Sequence, residues 1–134
     1  MTSPRFTLSL ALAAVLLATL ATPAPAALKP KLGLYDCYSF DPNMFGGLVY
    51  QNSLRLKSGA VYQHGWRGKQ GKLKSQTSGR WRQSGAKITF QTGVLRKTYV
   101  KVVKRKNRKE PVLALFAQGE TSSGIDCYFN KDYR

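Results

Sequence analysis

YDCY at 35–38 and IDCYF at 125–129 place the only two cysteines of the chain in nearly the same tripeptide, Asp36-Cys37-Tyr38 and Asp126-Cys127-Tyr128. Two antiparallel strands bonded at Cys37 and Cys127 would set Asp36 across from Tyr128, Tyr38 across from Asp126, and Tyr35 across from Phe129. The repeat then becomes two Asp/Tyr cross-strand pairs on one face, with an aromatic pair beside the disulfide on the other. Such a bond closes a loop of 90 residues, for which the chain-entropy picture gives roughly 4 to 5 kcal/mol of stabilisation.

The sequence between the two cysteines decides what those strands close. From Gly33 onward it reads as short runs of two-residue alternation punctuated by glycine, serine and asparagine, with no helical period. Strands read at 33-40, 47-57, 60-64, 79-83, 86-91, 98-104, 111-117 and 124-130. In the second run Leu48, Tyr50, Leu54 and Leu56 share one side, and Gln51, Ser53, Arg55 and Lys57 the other. Trp81 likewise opposes Arg80 and Arg82, while Ile88 and Phe90 oppose Lys87, Thr89 and Gln91. Ser58-Gly59 and Ser84-Gly85 suit tight hairpins, because glycine accepts the positive φ those turns require. Consecutive strands are therefore expected to be antiparallel neighbours. An open sheet of about eight such strands has two bare edges, and closure removes them. The predicted fold is all-β: a small antiparallel up-and-down barrel of about eight strands, with one disulfide joining the first and last. The alternative is a sandwich in which the bond joins non-adjacent strands and the repeated tripeptide is coincidence.

Ahead of this domain, MTSPRFTLSLALAAVLLATLATPAPAA has one charge at Arg5, an apolar run from about Phe6 to Leu20, and the small-residue pattern Ala24-Pro25-Ala26. That is the pattern of a secretory signal peptide cut after Ala26, with an uncleaved anchor as the alternative because the run approaches membrane-spanning length. The expected organisation is a signal peptide over 1-26 and a single β-barrel domain over 27-134. A secreted or envelope-associated protein, with no stable membrane insertion after cleavage, follows from it. Export permits the disulfide, and a domain of about 108 residues has a modest core that benefits from one.

The inventory for catalysis is thin. Among six acidic residues, only Asp36 and Asp126 are brought close by the cysteine register. An acid/base pair of the glycosidase kind is conceivable there, yet the exterior of a sheet beside a disulfide favours a structural role. One histidine, His64, and no CxxC or HxxxH spacing give no metal or cofactor signature. Residues 65-71, with three glycines, lack the strand and helix that shape a phosphate loop and read as a flexible hairpin tip. A non-catalytic protein without cofactor is expected.

Charge is the stronger signal. The chain carries 22 basic and 6 acidic residues, a net +16; cleavage removes Arg5 and leaves +15. Such a field draws in polyanions over a distance of about 8 to 10 Å in physiological salt. The candidate polyanion-binding residues fall in two connections. One, at 64-78, holds Trp66, Arg67, Lys69, Lys72 and Lys74; the other, at 104-110, holds Lys104, Arg105, Lys106, Arg108 and Lys109. Trp66 is the expected exposed stacker for sugars or bases. The partners implied are an anionic polysaccharide, wall polymer or other polyanion, with extracellular nucleic acid and lipid headgroups in the same class; the bland alternative is that the charge serves solubility. A third connection, DPNMFGG at 41-47, holds Met44 and Phe45, which would form an apolar lid or pack beneath the loop.

The barrel suggests a second reading. Inward candidates Tyr35, Tyr50, Leu54, Leu56, Tyr62, Trp81, Ile88, Phe90, Leu113, Leu115 and Phe129 would either fill it or line a cup for one small ligand.

GLYDCYSF, SLRLKSGAVYQ, GRWRQSGAKITFQTGVL and GIDCYF together resemble a group of small exported bacterial proteins, chiefly actinobacterial, with a Gly-x-Tyr-x-Cys opening and a Cys-Tyr close. That resemblance covers nearly the whole mature chain and implies export and a compact β fold, with no activity attached. Gly33-Leu34-Tyr35 is also weakly similar to the Gly-x-Trp that begins lipocalin-like barrels, with tyrosine in place of tryptophan, and implies a carrier of a small apolar ligand in the barrel mouth.

Overall fold

The computed structural model describes residues 28–133, and the signal peptide expected over 1-26 lies outside the described residues. Eight strands follow in order: β1 (Gly33–Phe40), β2 (Leu48–Lys57), β3 (Val61–Arg67), β4 (Leu73–Ser84), β5 (Lys87–Phe90), β6 (Thr98–Val103), β7 (Val112–Ala117) and β8 (Ile125–Phe129). A single 3-10 turn, Lys69–Gly71, lies between β3 and β4. Each strand pairs antiparallel with the next, and β8 returns to β1, so the sheet is a closed barrel.

The seam has the register that the two tripeptides predict. Cys37 pairs with Cys127, Asp36 with Tyr128, Tyr38 with Asp126, and Tyr35 with Phe129. The disulfide joins Cys37 to Cys127, whose Cα atoms are 3.9 Å apart. On the inner face beside it, the rings of Tyr35 and Phe129 meet edge to face at 5.4 Å.

The interior is filled by side chains. Tyr35, Leu54, Leu56, Tyr62, Ile88, Phe90, Val100, Val102 and Leu113 form one buried cluster with both cysteines, and Trp81, Leu115 and Phe129 pack against it. The two buried tyrosines place their hydroxyls on backbone partners, as burial of a polar group requires. Tyr35 donates to Lys31 O at 2.7 Å and Tyr62 to Thr92 O at 2.7 Å. Burial pushes the Tyr35 hydroxyl far above the ordinary tyrosine range, and Glu110 adds to the rise while the bond to Lys31 opposes it.

Three expectations are corrected. Pairing of β1 with β2 slips between Cys37, opposite Asn52, and Tyr38, opposite Tyr50. The extra residue, Gln51, is a β-bulge, and a bulge reverses which residues face inward. Leu54 and Leu56 are therefore in the core as expected, whereas Tyr50 and Leu48 lie outside. The second correction concerns 64-78, expected to be a long connection between strands, although its hairpin tip does fall within 65-71. β3 continues to Arg67 and β4 begins at Leu73, so most of the segment is a paired hairpin arm. Residues 74–78 are exposed on both faces, so no apolar alternation marked them as strand. Finally, Phe45 is fully exposed and Met44 half exposed; the 41-47 loop does not bury them beneath itself.

His64 faces inward opposite Leu54 and lies near the barrel end. Burial lowers its pKa from the ordinary 6.5, holding the ring neutral in the folded state. The unfolded chain therefore binds the extra proton first, and stability falls as pH drops through 6.5. Between about pH 7.5 and about pH 5.5 the melting temperature is expected to fall, and His64→Gln should lessen that fall. Identical pH dependence in the two proteins would contradict the burial of a neutral ring.

Candidate functional site

The outer face of the seam alternates acidic and aromatic side chains, Asp36 and Tyr38 on β1 facing Tyr128 and Asp126 on β8. Because the bulge turns Tyr50 outward, the row of rings continues onto β2 and β3. Tyr128 and Tyr38 are 6.1 Å apart between ring centroids, Tyr38 and Tyr50 5.8 Å, and Tyr50 and Trp66 6.1 Å. Four rings thus cross four neighbouring strands. Trp66, the expected stacker, is 53% exposed and adjoins Tyr50, but it lines a separate depression of about 220 Å³ with Asn52, His64 and Val94 and neither of the clefts at the seam.

Asp36 organises the polar part. Its side chain is only 6% exposed, a position that demands full pairing. Ser53 Oγ donates to Oδ1 at 2.6 Å, while Arg67 Nη1 and Asn130 Nδ2 each donate to Oδ2 at 2.8 Å. Bonds to an ionised group of this kind contribute about 1.5 to 3 kcal/mol each. The Arg67 backbone N–H also donates to the Tyr50 hydroxyl at 2.8 Å, which in turn bonds Ser53 Oγ at 2.8 Å. Burial first, and then the Asp36 charge, raises the Tyr38 pKa above the ordinary tyrosine value, although Arg67 opposes this. Tyr38 therefore stays a protonated hydroxyl at neutral pH.

Two basic connections leave opposite ends of an up-and-down barrel when one joins β3 to β4 and the other joins β6 to β7. Both nevertheless bend over the outer wall to the seam. At β3 the pairing slips between His64 and Trp66, and the residue between them is Gly65; a Cβ there would lie 2.5 Å from Lys74 O, so only glycine permits this close crossing. The bent arm carries Arg67 to Asp36 and is held farther along by Arg55, whose Nη2 donates to Gly71 O at 2.7 Å. From the other end, the 104-110 connection brings the Arg108 guanidinium 4.4 Å from the Tyr128 ring centroid and Arg105 Nη2 3.1 Å from Asp126 Oδ2.

Between these arms lies an open cleft of about 440 Å³ lined by Asp36, Tyr38, Arg67, Arg108, Tyr128 and Lys131, among others. A second cleft of about 260 Å³ shares Tyr38, Leu48 and Tyr128 with it and continues past Phe40 toward Asp126. Of the residues expected to bind polyanions, Arg67 and Arg108 line the larger cleft and Arg105 is paired beside it. Lys69, Lys72, Lys74, Lys104, Lys106 and Lys109 are exposed and line neither cleft; Lys104 Nζ donates to Lys109 O at 3.3 Å. Sequence reasoning missed Lys131, Asn130 and Asp36 as parts of one site. The repeated Asp-Cys-Tyr was the available signal, because its register placed two tyrosines and two carboxylates together on the outside.

Gly71 tests the arm. It has φ +70, and a Cβ would meet the Tyr133 ring at 2.6 Å, so Gly71→Ala is both strained and obstructed. The expected cost is about 1 to 3 kcal/mol, with faster amide exchange at Trp66 and Arg67 than in the parent; unchanged exchange would show that Gly71 does not latch the arm. No protein-family model, no curated protein and no solved structure matches this chain, so its function has to be read from the geometry of the seam.

Proposed function

We propose that this is a secreted, non-catalytic binding protein that holds anionic polymers of the cell envelope or its surroundings against the barrel seam. One observation carries the reading: two basic connections from opposite ends of the barrel place Arg67 and Arg108 on a single cleft with an aromatic floor. The net charge, +16 for the whole chain and +15 once Arg5 is removed with the leader, adds long-range attraction to that local site. Asp36 supports binding rather than proton transfer, since both its oxygens already accept bonds from Ser53, Arg67 and Asn130. Export is supported by the leader pattern and by the disulfide, which suits an oxidising compartment.

Retention of the protein on an immobilised polyuronate at increasing salt tests this. Affinity should fall steeply and linearly on a log–log plot, as counter-ion release requires. Retention that ignores ionic strength would overturn the reading.

A second reading, a carrier of a small apolar ligand, is favoured by a depression of about 380 Å³ whose lining includes Leu115, Ala117 and Ile125 at one end of the barrel. Binding there would be nearly indifferent to salt, so an apolar dye titrated at low and high ionic strength separates the two.

A further inference from the structure

The lining of the seam is more selective than net charge alone requires. A site for any polyanion needs only cations, yet this one combines Arg67, Arg108 and Lys131 with the exposed carboxylate of Asp132 and a floor of tyrosines. A chain with a phosphate on every residue gains from the cations and is repelled by the carboxylate. A chain of sugar rings that carries hydroxyls beside its acidic groups satisfies both, because a carboxylate accepts hydrogen bonds from sugar hydroxyls while a guanidinium binds an acidic group in a two-pronged contact. Tyrosine adds flat apolar faces for the rings, with hydroxyls to bond the polar edges. The floor is also elongated: two clefts share Tyr38, Leu48 and Tyr128, and the tyrosine row runs from Tyr128 through Tyr38 to Tyr50 in two steps of about 6 Å.

Resting on the polyanion reading above, we propose that the seam is a site for an acidic polysaccharide of the uronic-acid type, with sugar rings lying along the tyrosine row and carboxylates held by Arg67 and Arg108. Specificity comes from the tyrosines and Asp132; the remaining surface cations add unspecific attraction. Arg108, stacked on Tyr128 in the free protein, would swing off that ring to take the acidic group and uncover the stacking face.

The test compares four probes at one moderate salt concentration: an oligogalacturonate, the same oligomer with its carboxyls methyl-esterified, an inorganic polyphosphate of equal charge, and an oligothymidylate of equal charge. The oligogalacturonate should bind at least about tenfold more tightly than each of the others. Tyr38→Ala combined with Tyr128→Ala should weaken the oligogalacturonate by roughly tenfold or more, in the range stacking losses produce, and change polyphosphate binding by less than about twofold. Asp132→Asn, an exposed change that leaves the fold alone, should narrow the gap between oligogalacturonate and polyphosphate. Equal binding of the three charged probes, or equal weakening of all by the tyrosine changes, would overturn the uronate assignment while leaving polyanion binding in place. No binding of any charged probe at low salt would overturn both.

Discussion

Replacing Cys37 and Cys127 together by alanine should lower the melting temperature by about 15 to 25 °C. The bond closes a 90-residue loop, so its removal returns roughly 4 to 5 kcal/mol of freedom to the unfolded chain. For a domain of this size each kcal/mol corresponds to about 4 °C or somewhat more. Alanine is the better probe than serine, because both positions are fully buried and a hydroxyl would add its own penalty. The backbone pairing of β1 with β8 remains, together with the Asp36 network across it, so the variant should still fold at 25 °C and give the same cross-strand contacts. Melting within about 5 °C of the parent would show that the sulfurs do not secure the seam.

The second large effect concerns binding. Reversing Lys104, Arg105, Lys106, Arg108 and Lys109 to glutamate should weaken polyuronate binding at low salt by at least about a hundredfold, since each basic side chain near an anionic surface contributes on the order of 1 kcal/mol. Stability should barely change. All five residues are exposed, and the Arg105–Asp126 pair, with side chains 48% and 24% exposed, belongs to the class of surface ion pairs that contribute about 0 to 1 kcal/mol. Reversing Lys69, Lys72 and Lys74 instead should cost much less, because none of these three lines a cleft, whereas the first set contains Arg108, which lines the larger one, and Arg105, which is paired to Asp126 beside it. If the two sets weaken binding equally, total charge rather than the seam governs attachment.

Much of the fold was legible in the sequence, and the reason is local. Cys37 and Cys127 each sit in a tripeptide whose partners pair productively only in one register, and strict alternation around Leu54, Leu56, Ile88 and Phe90 leaves one choice of inner face. The bulge at Gln51 was not legible. Its only trace is the polar run Gln51-Asn52-Ser53, which interrupts the apolar alternation at Asn52 without showing which way the register slips. That one residue hid Tyr50, and with it the aromatic row. The convergence of the two basic arms was hidden for a similar reason. Arg67 and Arg108 are far apart in sequence and begin at opposite ends of the barrel; only the bend permitted by Gly65, and the pull of the buried Asp36 carboxylate, carry Arg67 to the seam.

Amide chemical shifts followed while a short oligouronate is titrated into the folded, disulfide-bonded protein test the central claim most directly. Perturbations should concentrate on 36–38, 66–67, 106–108 and 126–132, where the two arms meet β1 and β8. Small shifts spread over every lysine-bearing surface, or a set confined to 115–125 at the barrel end, would contradict a polymer site at the seam.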